Sequence, residues 1–445
     1  MTRITAGSVC VLIALGCGDD ASPAADAGSD ASDEIAWTAP SSLTLGEGER
    51  RTLDVPAATS NGSAIVAEAM ATGVEVSVQD GGVRIYAPYE STAGSVDVTL
   101  RSDTDEVRAT IPVTVDALSW AAPLSAERAT PGPEEREHPA LILDESNDRL
   151  LVFTGSGYAP YGTALSDVWA LDLESGAWSQ PAIEGTLPEA GSQRVARIEG
   201  ESIAYLFGGY GQSFAILDNL YRVDFGADPI RVEEVTQESD SGATRRSLHA
   251  FVHDPETDTF WTFGGFGSTP RNDLRKMQIV DGVARWTFVE TDSAPSDRFG
   301  FFYGFDSESG QLVLFSGDQG SPGGVDAARD VWALNVRSDP PTWTLLLEGD
   351  AAAPGRRNGV FAWDPRGPRL WIFGGTADAM TSEPGLWALD ITDEPTFREL
   401  PLVGEPPLRS SGVGIYDPTR NRILLGFGNT TEAIYADIQV LQTGN

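Results

Sequence analysis

The sequence predicts an all-β protein assembled from a repeated four-stranded unit, and three observations carry that prediction. An apolar run that ends in phenylalanine and a small pair recurs at Phe153 (VFTG), Phe207 (LFGG), Phe263 (TFGG), Phe315 (LFSG) and Phe373 (IFGG). The steps between these positions are 54, 56, 52 and 58 residues, and a degenerate sixth copy (LLGFG) occupies residues 424–428. Five of the six copies carry an aspartate-led turn before the apolar run, and most carry spaced aromatics after the small pair. The second lacks the aspartate and the later ring, and the third has Arg275 in place of one aromatic. One such unit cannot bury its apolar faces alone, so the copies must pack on one another as a propeller or array.

Taken in order, the chain opens with Arg3, a short apolar run over residues 9–15, and Gly16-Cys17-Gly18-Asp19-Asp20. The run is too short to span a bilayer but suits the core of a signal peptide. Its small-residue-then-cysteine end resembles a bacterial lipobox, which implies residues 1–16 as a lipoprotein signal peptide and lipidation of Cys17. Ordinary cleavage is the alternative. Cys10 follows Val9 and fits less well, and the chain has no other cysteine, so the processed protein is expected to rely on packing rather than disulfides. Residues 17–34, rich in Ala, Asp, Ser and Gly, form a disordered acidic tether, because such a composition buries too little surface to fold.

From residue 35 to 116 the pattern becomes period-two alternation, as in Val74-Glu-Val-Ser-Val78 and Val96-Asp-Val-Thr-Leu100, with turn signals between the runs. A small β-sandwich of immunoglobulin-like type is expected here, without that fold's cysteine pair or tryptophan. It serves either as a spacer or as a contact surface of its own.

Residues 117–445 hold the repeat. In the fifth copy, strand a is expected over 359–363, strand b over 369–373, strand c over 386–391 and strand d around Phe397. The a–b turns begin at Asp144, Asp254, Asp306, Asp364 and Asp417; a side-chain-to-backbone Asx turn explains them without calcium. Strand c repeats an aromatic (Trp169, Tyr221, Trp332, Trp387, Tyr435), and strand d another (Trp178, Trp286, Trp343, Phe397). One large ring per repeat is what packing between neighbouring blades needs.

Paired glycines after an apolar strand, followed by spaced aromatics, resemble the kelch repeat, in the manner of the galactose-oxidase central domain. The resemblance implies a six-bladed kelch-type β-propeller. The sixth copy stops after strand c, while residues 118–136 align with 342–357. The segment 117–124 is therefore expected to supply the outer strand of the last blade, a mixed-terminal closure that protects sheet edges.

Eight residues before each turn aspartate stands an arginine: Arg136, Arg246, Arg298, Arg356 and Arg409. The second copy has no clear equivalent, Arg194 being the nearest. Five guanidiniums at one mouth of a channel would favour carboxylate, sulfate or phosphate groups; equally, they would serve to seal blade against blade. Tyr158, Tyr161, Tyr210, Phe214 and Phe266 fall on b–c loops and would add ring surfaces for a sugar or peptide.

Other chemistry is weakly signalled. The formal charge of −36, with Lys276 the only lysine, opposes binding to nucleic acid. Only His138, His249 and His253 are present, in no metal-binding spacing. Walker, dinucleotide and nucleophile-elbow motifs are missing, so neither catalytic residues nor cofactors nor metals are assigned. The expectation is a monomeric, lipid-anchored envelope protein that binds a protein or glycan, preferentially acidic. Alternatives are a propeller enzyme acting on acidic sugars (isomerase, mutarotase or lyase) through His138, His249 and the arginines, or a passive scaffold.

Overall fold

A computed structural model of the protein describes residues 34–443, apart from residues 61, 80–81, 90, 127–128, 158–162, 241–243, 321–325, 350–354, 379–381, 393, 401 and 403. Cys17 and the acidic tether lie outside the described residues. The chain divides into two compact units, the first Met1–Ser119 with Gln442–Asn445 and the second Trp120–Leu441.

The first unit holds two sheets. One orders Leu43–Gly46, Glu106–Asp116, Ala93–Arg101 and Val66–Thr72; the other orders Arg50–Asp54, Gly82–Tyr86 and Glu75–Gln79. Alternation puts Val96, Val98 and Leu100 on one face, where they join Ile111, Val113, Val83 and Ile85 in a single core.

In the second unit, among the described residues, each repeat forms a sheet of four or five strands. The fifth repeat is the plainest: Val360–Asp364, Arg369–Phe373, Leu386–Asp390 and Thr396–Leu400, all antiparallel. These match the expected strands a to d to within a residue or two. The second and third sheets gain a parallel fifth strand on their outer side, Ile183–Gly185 and Gln237–Ser239, supplied by the chain leaving the preceding repeat. The turn aspartates act as expected of Asx turns: Glu308 N–H donates to Asp306 Oδ1 (3.1 Å), and Thr419 N–H to Asp417 Oδ1 (3.1 Å).

In four repeats the phenylalanine that precedes the small pair receives the strand-d ring of the next sheet. Trp286 lies 4.6 Å from Phe207, Trp343 4.7 Å from Phe263, and Phe397 4.6 Å from Phe315, centroid to centroid. In the sixth sheet this ring is Trp120, 5.5 Å from Phe373. Ala121 N–H donates to the Val440 carbonyl (3.0 Å) and Leu124 N–H to that of Ile438 (2.9 Å), so the start of the unit lies along its last strand. Trp178 of the first sheet then donates from Nε1 to Ser125 Oγ (2.6 Å) and packs on Phe427. Each such ring pair contributes roughly 0.5–1.5 kcal/mol beyond the area it buries.

Two sets of backbone hydrogen bonds join the sheets. The second residue of each small pair is always glycine with positive φ, and its N–H reaches into the next repeat: Gly155 to Ala190, Gly209 to Arg246, Gly265 to Arg298, Gly317 to Arg356, Gly375 to Arg409, and Gly428 back to Arg136. No side chain fits there; a Cβ on Gly265 would fall 2.6 Å from His249 Cβ. The first position tolerates Thr154, Ser316 and Phe427, all left-handed. Thus the sixth pair is Phe427-Gly428, and Gly426 stands where the other repeats have phenylalanine, opposite Val413 as Phe153 is opposite Ala140.

The second set is a hoop of left-handed residues two places after the arginine position: His138, Ser192, Leu248, Gly300, Asn358 and Ser411. Ser192 N–H donates to His138 O, Gly300 to Leu248, Asn358 to Gly300, Ser411 to Asn358, and His138 to Ser411, at 2.6–2.9 Å. Five of the six junctions, including that of the last repeat with the first, are thus linked in this way. Small, mutually packed β-sheets of this kind are the architecture expected of a kelch β-propeller.

Candidate functional site

The five repeated arginines are architectural in this structure. Arg136, Arg246, Arg298, Arg356 and Arg409 are each no more than 1% exposed. Each donates from Nη1 to a carbonyl eighteen residues on, at the small pair: Thr154, Gly264, Ser316, Gly374 and Phe427. Four of them also pair with an aspartate that sequence reasoning missed. Arg136 meets Asp167 (2.6 Å), Arg246 meets Asp273 (2.8 Å), Arg298 meets Asp330 (2.6 Å) and Arg409 meets Asp437 (2.5 Å). The expected arginine-lined ligand face is therefore corrected: a guanidinium at a repeat junction must satisfy its donors inside the protein, and these do.

Each aspartate stands immediately before an aliphatic residue of strand c (Val168, Leu274, Val331, Ile438), a signal legible as soon as the arginines demand partners. Repeat two lacks both members of the pair. The register sets Arg194 opposite Phe207, where repeat one has Ala140 opposite Phe153, so the arginine position is Ala190 and the aspartate position Asn219. Repeat five keeps Arg356 but has Gly385 in place of the aspartate. A Cβ on Gly385 would fall 3.0 Å from Glu399 Oε1. Burial lowers Arg356 to about 10, and the charges of Glu383 and Glu399 work against that shift. Asp167, Asp273 and Asp330 are driven up by burial but held below the usual carboxylate range by their arginines.

The residue after each arginine position forms a bridge with the b–c loop: Glu137 with Ser156, Gly191 with Tyr210, Ser247 with Phe266, Phe299 with Asp318, Arg357 with Thr376, and Ser410 with Asn429. A mixed collar of side chains follows. Phe266 packs on Phe299 (5.2 Å), the Arg357 guanidinium lies over Phe299 (5.5 Å) and pairs with Asp318 (2.7 Å), and Ser410 Oγ donates to Asn429 Oδ1 (2.9 Å). Tyr210 packs on His138 and Phe214. Of the aromatics predicted here, Tyr210 and Phe266 join the collar, Phe214 is 45% exposed beside it, and Tyr158 and Tyr161 lie outside the described residues. Glu137 is buried, which pushes its carboxyl up to about 7, and its Oε1 has no hydrogen-bond partner. Sequence reasoning missed Glu137, Phe299, Arg357 and Asn429; the signal was adjacency to the repeated arginine for the first three and to the small pair for Asn429.

The histidines do not assemble acid–base chemistry. Burial lowers His138 to about 3 and takes His249 well below its usual value, with positive charge from Arg194 and, for His249, Arg246 adding to the effect. Both ring nitrogens of His249 are buried without partners. Among the described residues the one histidine–carboxylate pair is His253 Nε2 with Asp258 (3.0 Å), beside an a–b turn. No group of three or more His, Cys, Asp and Glu among the described residues is arranged to hold a metal ion.

Comparison with known proteins agrees with this geometry. A family described as the KLHDC2/KLHL20/DRC7 kelch-repeats domain matches residues 100–301. The flagellar outer-arm dynein alpha chain of Chlamydomonas reinhardtii is 30% identical over 62% of this chain and 6% of its own length. Kelch domain-containing protein 3 of Rattus norvegicus is 25% identical over 54% of this chain and 60% of its own. The chain therefore spans less than two thirds of either relative. A solved structure from Bacteroides thetaiotaomicron, of a protein of unknown function, covers 94% of this chain and 100% of its own at a TM-score of 0.52 and 11% identity, a likeness of fold alone. Together with the repeated sheets, these matches make the chain similar to kelch-repeat proteins over much of its second unit.

Proposed function

We propose that this chain is a lipid-anchored protein of the bacterial cell envelope whose six-bladed propeller is a protein-binding module. In this reading Cys17 carries the lipid, residues 17–34 are the tether, residues 35–116 are an immunoglobulin-like spacer, and the segment 117–124, with the strand Ser119–Trp120, closes the last blade. The observation that carries the binding role is the collar. Six bridges hold ring faces, one cation, two carboxylates, hydroxyls and an amide around one end of the repeat array. Rigid aromatics beside an arginine are the residue types that dominate protein recognition. Its mixed charge suits a polypeptide better than a purely anionic ligand, since Arg357 already shares its charge with Asp318.

The test is recovery of envelope proteins cross-linked to the wild-type chain, compared with Phe266→Ala/Arg357→Ala and with Phe288→Ala on an outer strand. A partner that is lost only with the first variant, at unchanged melting temperature, supports the collar. Equal recovery with all three proteins refutes it, and capture of a defined glycan alone would reassign the ligand class.

A further inference from the structure

A cavity of about 550 Å³ lies along the innermost strands of all six repeats. Its lining begins just past the left-handed hoop, at Gln193 and Gly412, and ends at the a–b turns, with Glu145, Ser307, Pro365 and Pro418. It therefore runs away from the collar. This volume is in the range of small-molecule sites, roughly 300–1,000 Å³.

Two arginines line this cavity, Arg194 and Arg197; Arg197 pairs with Glu145 (2.7 Å), which leaves Arg194 as the cation to account for. Repeat two places it where repeat one has Ala140. Its Nε donates to the His249 carbonyl (3.0 Å), which fixes the side chain across the cavity. Its Cζ lies 5.8 Å from the centroid of Tyr303 and 5.9 Å from that of Phe361, two rings from the fourth and fifth repeats. Among the described residues no carboxylate stands within ion-pair distance of it, in contrast to the arginines paired at the junctions. Its field reaches the surrounding groups: after burial, Arg194 is a further cause lowering both His138 and His249, and it works against the rise that burial imposes on Tyr303. A half-buried guanidinium without a counter-ion, flanked by apolar walls, calls for an anion that brings its own apolar surface. The guanidinium fork matches a carboxylate. Beyond it, Phe305 and Trp363 line the way toward the turns.

We propose that this cavity binds a small organic monocarboxylate with a flat apolar body. The carboxylate pairs with Arg194, and the body extends along Phe305 and Trp363. This site is distinct from the collar and lies beyond the hoop from it.

The experiment is calorimetric titration of the full-length protein with biphenyl-4-carboxylate and with biphenyl-4-carboxamide, its uncharged counterpart. The acid is expected to bind at least about tenfold more tightly than the amide, the usual scale of a charge-assisted hydrogen bond. Arg194→Gln should bring the acid down to the amide, while Phe305→Ala should weaken both. Equal binding of acid and amide by the wild type, undiminished acid binding by Arg194→Gln, or no binding of either probe at millimolar concentration each overturns the proposal. Should Arg194→Gln fail to fold, the acid–amide ratio of the wild type decides alone.

Discussion

The buried Arg298–Asp330 pair allows its coupling to be predicted from the geometry. Arg298 is 0% exposed and donates to both Asp330 oxygens (2.6 and 3.0 Å), to the Ser316 and Ser296 carbonyls (each 3.1 Å) and to Ser296 Oγ (2.9 Å). Asp330→Asn leaves that guanidinium without a counter-ion and should cost about 3 kcal/mol. Arg298→Ala removes donors from two carbonyls and leaves a carboxylate that is 23% exposed and still accepts from Trp332 Nε1, again about 3 kcal/mol. The double variant reproduces what repeat two already has, Ala190 with Asn219, and should cost about 4 kcal/mol, a coupling of about 2 kcal/mol. Urea unfolding followed by tryptophan fluorescence measures each corner of the cycle, with unchanged m values as the control. Additivity to within ~0.5 kcal/mol would refute the reasoning, because the pair would then not act as a unit. Burial pushes Asp330 up, but the hydrogen bonds and charge of Arg298 outweigh it and the folded value is lowered. Such a carboxylate contributes stability that is present above its unfolded pKa, about 3.9, and is lost as pH falls through the folded value, so the coupling should hold from pH 5 to 8.

The two neutral histidines should make stability fall in mild acid. With His138 near 3 and His249 well below 6.5 in the folded protein, each loses about 1.4 kcal/mol per pH unit below the unfolded value of about 6.5. Glu137, raised from 4.5 to about 7, works in the opposite sense: its contribution is full below the unfolded value and fades as pH rises toward 7. Between pH 4.5 and 6.5 the net slope should be about 1.4 kcal/mol per unit, and Glu137→Gln should double it; an unchanged slope would show that Glu137 is ionised throughout. Trp120→Ala, which removes the ring from Phe373, should destabilise the whole second unit by about 2 kcal/mol, and deletion of residues 120–124 by more; a melting profile unaltered by either would remove the segment from the fold. Cys17→Ser should move the protein from the membrane to the soluble fraction, and unchanged membrane retention would disprove lipidation there.

Much of the fold was legible because a repeat makes each local signal several times over. The strands stood at one position in each copy and the Asx turns and strand-d rings in all but the second, with tryptophan at 120 in the same column as Trp343. The arginines were legible as a set, but their exposure was not. A position that recurs once per repeat is what a junction requires, and also what a ring-shaped site requires, so recurrence alone does not separate them. The partner does, and the aspartates sit 27–32 residues downstream, visible only once strand c is laid beside strand b. The second repeat misled for a related reason. Its alanine at 190 leaves no charged marker, and the eye moves to Arg194, whose place is set by pairing with Phe207. Glu137, Arg357 and Phe299 were hidden because their column varies from repeat to repeat. Varied side chains on a common backbone bridge are what a recognition surface needs, and pattern matching discards them.

The left-handed hoop has a consequence for how such a protein can change over time. Its hydrogen bonds join backbone to backbone, so substituting the side chains does not remove them; His, Ser, Leu, Gly and Asn all occupy the same place. An open solenoid can gain or shed a unit at one end and disturb a single neighbour. Here the loss of one repeat would leave a hoop N–H and a hoop carbonyl without their present partners. Substitution of the side chains at the hoop therefore leaves these hydrogen bonds in place, whereas removal of a repeat does not.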